Sequence, residues 1–240
     1  MSNKAARKDI PVRDRLILAL DVPDSNTALA TVELLGDSVN FYKLGLELFM
    51  SGSYFDLVEQ LRKRSKRVFC DLKFFDVPET VARAVRQLKD RGVDFTTVHG
   101  NDRMLQAAVG EKNGLKILAV TVLTSLDQGD LEDLGFQCDV EALVRSRAQR
   151  ALEIGCDGVV SSGLEISSLR KDSGDQLMIV VPGIRPVQNR PVDDQKRVVT
   201  PTQAFQNGAD FIVVGRPIRD AEDPRAKAEA IQAEIAAVFT

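Results

Sequence analysis

Charged side chains stand at the ends of runs that are otherwise mostly apolar. Asp21 ends the first run (LILALD), Lys43 lies within the second (FYKLGL), and Asp71 and Lys73 end the third (RVFCDLK). Charges gathered at the mouth of a core are costly unless they neutralise one another, as alternating acids and lysines do. A lysine held between carboxylates can stabilise a developing negative charge and donate a proton. One pair alone would fit a salt-bridged strand end, but the group predicts a functional role for Asp71 and Lys73.

The third run continues as Asp-Leu-Lys-Phe-Phe-Asp and so adds Asp76 in the following loop. Residues two apart on a strand point to the same side, so we expect Asp71 and Lys73 to face one site. In a barrel of alternating strands and helices, the loops at the C-terminal ends of the strands form the active-site face. We therefore expect the third strand and the loop after it to present an acid, a base and a second acid at that face, namely Asp71, Lys73 and Asp76.

Two segments that combine glycine with arginine could hold an anion. The last run ends in Gly215-Arg216-Pro217, where the glycine admits an oxyanion close to the backbone and the arginine can bind it bidentately. After the seventh run, Arg185 precedes a long polar stretch (VQNRPVDDQKRVV) that contains Gln195. Such a length is typical of a lid, with disorder as the alternative. We expect Arg185 and Gln195 to reach the same phosphate and the closed loop to exclude water.

The composition excludes several kinds of protein. The 240 residues carry 32 basic and 35 acidic side chains, a net charge of −3, so no overall basic field favours nucleic acid or an anionic membrane. The three cysteines are widely spaced, which argues against disulfides and structural zinc. Because His99 is the only histidine, a metal site built on several imidazoles is excluded.

Two further segments bear on partners and location. Arg62–Arg67 (RKRSKR) resembles a nucleic-acid patch, but we expect it to be the solvated end of a helix that leads into the third strand. The first fourteen residues are polar with no apolar h-region, and no run of about 18 apolar residues occurs. We therefore expect no nucleic-acid partner, no membrane association and a cytoplasmic location.

Eight short apolar runs predict parallel strands that are buried on both faces. The runs are Leu16–Asp21, Phe41–Leu46, Arg67–Lys73, Phe95–Gly100, Lys116–Leu123, Gly158–Ser162, Met178–Ile184 and Phe211–Pro217. Amphipathic segments between them predict helices, among them Thr80–Arg91, Val140–Ile154 and Ala226–Val238. This alternation predicts one α/β domain over residues 1–240, a (β/α)8 TIM barrel with residues 1–13 as a polar extension. An open doubly wound sheet is the alternative, since periodicity does not show closure.

The segment Phe69–Thr80 (FCDLKFFDVPET) resembles the signature of the orotidine 5′-monophosphate decarboxylase family. The similarity covers nearly the whole chain through LALDVPD, FYKLGLELF, TVHG, VTVLTS, PGIRP, DDQKR and VVGRP, in family order. The full pattern D-x-K-x-x-D-x-P-x-T is specific, whereas D-x-K-x-x-D alone also fits a related sugar-phosphate decarboxylase. The resemblance implies decarboxylation of orotidine 5′-monophosphate (OMP) to UMP and CO2 in pyrimidine biosynthesis, with neither a metal nor an organic cofactor.

The resemblance also implies roles for individual residues around the reacting carbon. Lys73 would donate a proton to C6 of the pyrimidine, and Asp71 would lie beside the departing carboxylate. Asp21 and Lys43 would hold the ribose hydroxyls, with Lys43 also joined to the charged array. Thr124 would contact the pyrimidine.

The remaining implied roles concern the phosphate and a second subunit. Asp76 and Thr80 would reach into the partner subunit's site, so the active unit would be a homodimer. The residues that match the family's phosphate grip are Arg185, Gln195, Gly215 and Arg216.

Two other functions stay open at this point. A sugar-phosphate decarboxylase or epimerase on the same barrel commonly needs a divalent metal, so activity that survives a chelator would separate the two enzymes. A catalytically silent binder of a phosphate ligand would keep its affinity after Lys73→Ala, whereas a decarboxylase would lose UMP formation.

Overall fold

The computed structural model describes residues 9–185 and 198–239. Within these residues, eight parallel strands pair in chain order, and β8 pairs with β1 to close a barrel. The strands are β1 Leu16–Ala19, β2 Phe41–Leu44, β3 Arg67–Phe74, β4 Phe95–His99, β5 Lys116–Val120, β6 Gly158–Val160, β7 Met178–Val181 and β8 Phe211–Val214. The predicted (β/α)8 barrel is confirmed, and the alternative of an open sheet is wrong.

Helices follow the strands. They are α1 Ser25–Leu35, α2 Leu46–Met50, α3 Tyr54–Lys63, α4 Pro78–Lys89, α5 Asp102–Glu111, α6 Gln128–Asp133, α7 Val140–Ile154, α8 Ile166–Ser173, α9 Pro201–Gln206, α10 Arg216–Arg219 and α11 Pro224–Phe239, with 3-10 turns at Val12–Arg15 and Gly36–Ser38. The α4 helix begins two residues before the predicted start, because Pro78 has the φ angle that the first turn requires. Gly155, with φ +92°, ends α7 in the left-handed conformation.

The strands begin where the sequence predicts, but seven of the eight end one to three residues earlier than predicted. The regular ladder ends there, and at four strands a single backbone hydrogen bond to the neighbouring strand follows it, donated by Leu20, Gly100, Thr121 and Ser161. Several of the residues that continue the runs, including Asp21, Val122 and Pro182, line the cavity described below. An apolar run in the sequence therefore includes both the strand and the residues after it that line the cavity, so the run is longer than the strand.

An aromatic layer fills the barrel interior below the site. Phe95 makes edge-to-face contacts with Phe41, Phe69 and Phe211 at centroid distances of 4.9, 5.9 and 5.2 Å. Because side chains alternate along a strand, the next residues of the same parity on β2, β3 and β4 form a second layer. That layer consists of Lys43, Asp71 and Thr97.

The basic segment before β3 differs from its prediction. The α3 helix ends at Lys63, but Lys66 is buried and its ammonium donates to the carbonyl oxygen of Gly36 at 2.7 Å. The Arg67 guanidinium pairs with Asp94 at 3.0 Å. The prediction that this segment is the solvated end of a helix is therefore wrong for Lys66 and Arg67, because the start of β3 carries both into the packing at the bottom of the barrel.

The predicted extension, residues 1–13, is described only from residue 9 onward. Arg13 within it pairs with Glu229 of α11 at 2.7 Å, and Gln232 of the same helix donates to the Arg13 carbonyl at 3.0 Å. The domain boundaries stay a prediction. Among the described residues, no helix combines the length and the apolar character needed to cross a membrane.

Candidate active site

A cavity of about 630 Å³ opens at the C-terminal ends of the strands, a volume suited to a small-molecule ligand. Its wall comes from β1, β2, β3, β5, β6 and β8 and from the segments that follow β1, β2, β5, β7 and β8. The sequence-predicted residues on this wall are Asp21, Lys43, Asp71, Lys73, Thr124, Arg185, Gly215 and Arg216. The structure thus brings together residues that are up to 195 positions apart in the sequence.

Four of these side chains form a continuous ionic array. The Lys43 Nζ atom lies 3.0 Å from Oδ1 of Asp21 and 3.4 Å from Oδ2 of Asp71. The Lys73 Nζ atom donates to the same Oδ2 of Asp71 at 2.8 Å. The side chains of Lys43 and Asp71 are only 12% and 10% exposed, whereas that of Lys73 is 34% exposed. Lys73 is therefore the more accessible of the two lysines that share Asp71.

Burial and pairing act in opposite directions on the ionisation of this array. Burial disfavours the charge of Asp71, but Lys43, Lys73 and a hydrogen bond from Thr97 outweigh it and keep the pKa of Asp71 below its ordinary value. Burial likewise disfavours the charge of Lys43, but Asp71 and Asp21 together raise the pKa of Lys43 above its ordinary value. Both groups therefore remain ionised around neutral pH.

An irregularity in β3 places the array. The β3–β4 pairing runs through Cys70 with Thr96 and resumes only at Phe74 with Val98, so β3 carries two additional residues in this interval. Lys73 lies there with φ +48°, in the left-handed region that few non-glycine residues adopt. The regular alternation used to predict a shared side for Asp71 and Lys73 is interrupted, and the two side chains meet across the bulge instead.

Asp76 and Thr80 do not join the array within one chain. Both are exposed, and neither lies on the cavity wall. The Asp76 carboxylate accepts a hydrogen bond from the amide of Val77 at 2.6 Å. Its neighbours Phe75 and Val77 are 64% and 63% exposed, which is high for apolar side chains.

The predicted phosphate-binding residues lie at the ends of β7 and β8. Arg185 is buried, and its Nη1 donates to the carbonyl oxygen of Ile184 at 3.0 Å. Arg216 is exposed at the start of α10, directly after Gly215. A Cβ at Gly215 would meet Ala19 only at an ordinary 3.5 Å, so packing alone does not require glycine there. Gln195 lies outside the described residues.

Two residues that donate hydrogen bonds to members of the array were not predicted from the sequence. Thr97 of β4 donates to Asp71 and is fully buried. Arg219 lines the cavity and donates to the backbone carbonyl of Asp21. The available signals were the inward parity that Thr97 shares with Phe95 and the one-turn spacing from Arg216 to Arg219.

Cys70 and His99 border the site without entering the array. Cys70 is fully buried in the apolar packing around the barrel, and burial raises the pKa of its thiol to about 12. The His99 ring contacts Phe75 edge-on at 5.0 Å, and burial together with the charges of Arg147 and Lys73 lowers the pKa of His99.

The chain matches a known enzyme family over most of its length. A model of the orotidine 5′-phosphate decarboxylase / HUMPS family matches residues 14–231. The chain belongs to this family. The predicted resemblance is confirmed, and so is the prediction of a carboxy-lyase, because family members with closely similar sequences are decarboxylases by name.

Those relatives match over nearly their full lengths. A Methylococcus capsulatus protein named orotidine 5′-phosphate decarboxylase is 67% identical and covers 100% of this chain and 99% of its own length. A protein of the same name from Xanthomonas axonopodis pv. citri is 52% identical, with 98% of each chain covered. The crystal structure of orotidine 5′-phosphate decarboxylase from Lactobacillus acidophilus superposes with a TM-score of 0.81 at 36% identity, covering 92% of this chain and 99% of that one.

Proposed function

We propose that this protein decarboxylates OMP to UMP and CO2 in pyrimidine biosynthesis, without a metal or an organic cofactor. The observation that carries the proposal is the contact of Lys73 with Asp71 at the wall of a cavity that also holds Arg185 and Arg216. The names of relatives at 52% and 67% identity favour this substrate over a sugar phosphate.

The reaction needs a cation at one carbon atom. When the bond from C6 to the carboxylate breaks, its electron pair stays on C6 in the ring plane, where no neighbouring carbonyl delocalises it. An ammonium beside C6 stabilises that charge and then transfers a proton to it. In our proposal Lys73 is this ammonium, and it regains a proton from solvent after UMP forms. Asp71 holds the ammonium at its place.

Asp71 would also destabilise the bound substrate. A carboxylate about 4 Å from the substrate carboxylate, at an effective dielectric constant of about 20, is repelled by roughly 4 kcal/mol. This repulsion is relieved as CO2 leaves. Enzymes lower barriers by about 8–23 kcal/mol, so repulsion accounts for only a part of the catalysis. Stabilisation of the carbanion by Lys73 must contribute much of the rest.

The other cavity residues would bind the nucleotide. Asp21 and Lys43 hold the ribose hydroxyls in this proposal, and Thr124 contacts the pyrimidine. The phosphate grip consists of Arg185, Gln195, Gly215 and Arg216. If binding of the phosphate drives closure of the site, the phosphate raises turnover as well as affinity.

We also propose a homodimer with shared active sites. Asp76 and Thr80 are exposed and lie off the cavity of their own chain, while the exposed Phe75 and Val77 flank Asp76 with apolar surface. A second copy that covers this surface would receive Asp76 and Thr80 at its own Lys73. A cytoplasmic location and a single-domain chain complete the proposal.

The direct test follows the loss of orotate absorbance after OMP is added, with EDTA present. We expect full activity with the chelator and none for Lys73→Ala, while UMP affinity is retained. Lys171→Ala, an exposed lysine on α8, is the matched control and should behave as the parent. OMP turnover that EDTA abolishes would refute a metal-free reaction. Metal-dependent turnover of a sugar phosphate with none of OMP would favour the sugar-phosphate enzyme, and UMP binding without any turnover would favour a silent phosphate binder.

A further inference from the structure

A hydroxyl group on β4 joins the two residues proposed to act on the substrate carboxylate. Thr97 Oγ1 donates to Oδ1 of Asp71 at 2.9 Å. The backbone amide of Lys73 donates to the same Oγ1 at 2.9 Å. Thr97 is fully buried, as is its neighbour Thr96. One side chain therefore links the carboxylate of Asp71 to the backbone of Lys73 from the adjacent strand.

The chemistry of the three groups explains why a hydroxyl stands there. An ionised carboxylate can only accept a hydrogen bond, and a backbone N–H can only donate one. A hydroxyl does both at once, so it satisfies the two groups simultaneously. An apolar side chain of the same shape would leave a buried charged oxygen and a buried amide without this partner.

The two hydrogen bonds also fix geometry that the strand ladder does not. Lys73 lies in the interval where β3 loses its regular pairing with β4, with φ +48°, so its amide has left the ladder pattern. Such a conformation is strained for a residue with a side chain and persists only where surrounding contacts hold it. At Asp71, occupation of Oδ1 by Thr97 leaves Oδ2 turned toward Lys43 and Lys73.

We propose that Thr97 is a positioning residue for decarboxylation, whose hydroxyl orients the Asp71 carboxylate and holds the Lys73 backbone so that the ammonium faces the cavity. The expected effect on kcat rests on the proposed function. The expected effect on the positions of Asp71 and Lys73 rests on the two hydrogen bonds alone. Thr97 does not line the cavity, so it acts through its two partners.

The chain supplies a matched control one residue away. Thr96 is also a fully buried threonine of β4, but its Oγ1 donates to the carbonyl oxygen of Cys70 at 3.0 Å and does not contact the array. Thr96→Val and Thr97→Val each remove one buried hydroxyl from the same strand. A purely structural effect would appear in both variants.

The kinetic test compares Thr97→Val, Thr97→Ser and Thr96→Val with the parent on OMP. We expect kcat to fall about 10- to 100-fold in Thr97→Val, because misplacement of a reacting group has effects of this order, with KM changed less than about threefold. Thr97→Ser retains the hydroxyl and should stay within about threefold of the parent kcat. Thr96→Val should keep its kcat within about twofold even if it loses stability.

The pH profile gives a second readout that a structural role would not move. Thr97 stabilises the charged form of Asp71, which also faces Lys43 from β2 and Lys73 from β3, with Asp21 beyond Lys43. Loss of that hydrogen bond raises the pKa of Asp71, so the acid limb of kcat should move to higher pH in Thr97→Val. In Thr96→Val it should stay in place.

Crystal structures of the parent and of Thr97→Val separate this inference from the proposed function. We expect the Asp71 carboxylate to rotate or Lys73 to leave its left-handed conformation in the variant, whether or not OMP is turned over. A parent without decarboxylase activity would refute the proposed function. The two crystal structures would then still test whether Thr97 positions Asp71 and Lys73. An unchanged array, a parental kcat in Thr97→Val, or equal kcat losses in both valine variants would overturn the positioning role.

Discussion

Replacing Asp71 by asparagine removes the charge at the centre of the array while nearly preserving its shape. The variant amide can still accept a hydrogen bond from Thr97, so the local packing is retained. The negative charge that lies 2.8 Å from Lys73 and 3.4 Å from Lys43 is lost. The same change removes the proposed repulsion of the substrate carboxylate.

The expected magnitude follows from that repulsion. Roughly 4 kcal/mol corresponds to a factor of about 10³, since each 1.36 kcal/mol is tenfold. UMP has no carboxylate at C6 and is not repelled, so the affinity for OMP relative to UMP should rise by up to about 10³ in Asp71→Asn. Turnover should fall by about 10³ or more, because ground-state destabilisation and the anchor of Lys73 disappear together.

The same substitution should lower the free energy of unfolding. Removal of one partner from a buried ion pair costs about 3–5 kcal/mol, because the opposite charge is left uncompensated. The loss should lie toward the lower end, since the Lys73 side chain is 34% exposed and water screens part of the effect. Guanidinium denaturation of the parent and the variant measures this difference.

Calorimetry with UMP and rapid-mixing binding of OMP measure the two affinities, and the loss of orotate absorbance gives kcat. Asp172→Asn, which breaks a surface pair with Arg145 on α7, is the matched control and should leave all three unchanged. A variant whose kcat falls while its OMP-to-UMP affinity ratio stays parental would refute the repulsion argument. A parental kcat would refute a catalytic role for Asp71 altogether.

Three further outcomes follow from the proposed site. Mixing Lys73→Ala with Asp76→Ala should restore about a quarter of parental activity, because half of the dimers are mixed and each contains one intact site of two. The free energy of unfolding should be higher for the parent than for Asp71→Asn, and this difference should be constant near neutral pH and shrink in acid. Asp71 has a lowered folded-state pKa, so its contribution is present above its ordinary pKa of 3.8 and is lost as pH falls through the folded value. Orotidine without its 5′-phosphate should show a reduced kcat as well as a raised KM.

Each of these outcomes has a direct check. Activity of the mixed variants is compared with that of each variant alone, and no recovery would refute shared sites. Denaturation at a series of pH values measures the acid dependence, and a stability difference that grows below pH 3.8 would contradict the sign argued for Asp71. An unchanged kcat for orotidine, with only KM raised, would show that the phosphate serves binding alone.

The amino-acid sequence was sufficient to predict the barrel and most of the charged residues on the cavity wall. Buried parallel strands need continuous apolar runs, so the eight runs identified the strands and their first residues. Charges within or at the ends of those runs identified Lys43, Asp71 and Lys73, because a charge is placed there only where others neutralise it. The ends of the strands were predicted less well. Several residues beyond them are apolar because they line the cavity, and the sequence does not distinguish them from residues of the strand.

Contacts between strands were decided by the tertiary structure alone. The bulge in β3, the left-handed conformation of Lys73 and the bridge from Thr97 depend on how β3 and β4 are aligned, and the bonded residues are 24 and 26 positions apart in the chain. The burial of Lys66 has the same origin, because its partner Gly36 is 30 residues away. Local periodicity predicts which face of a strand a residue occupies. A hydrogen bond between strands also depends on the register, the tilt and the closure of all eight strands, which periodicity does not predict.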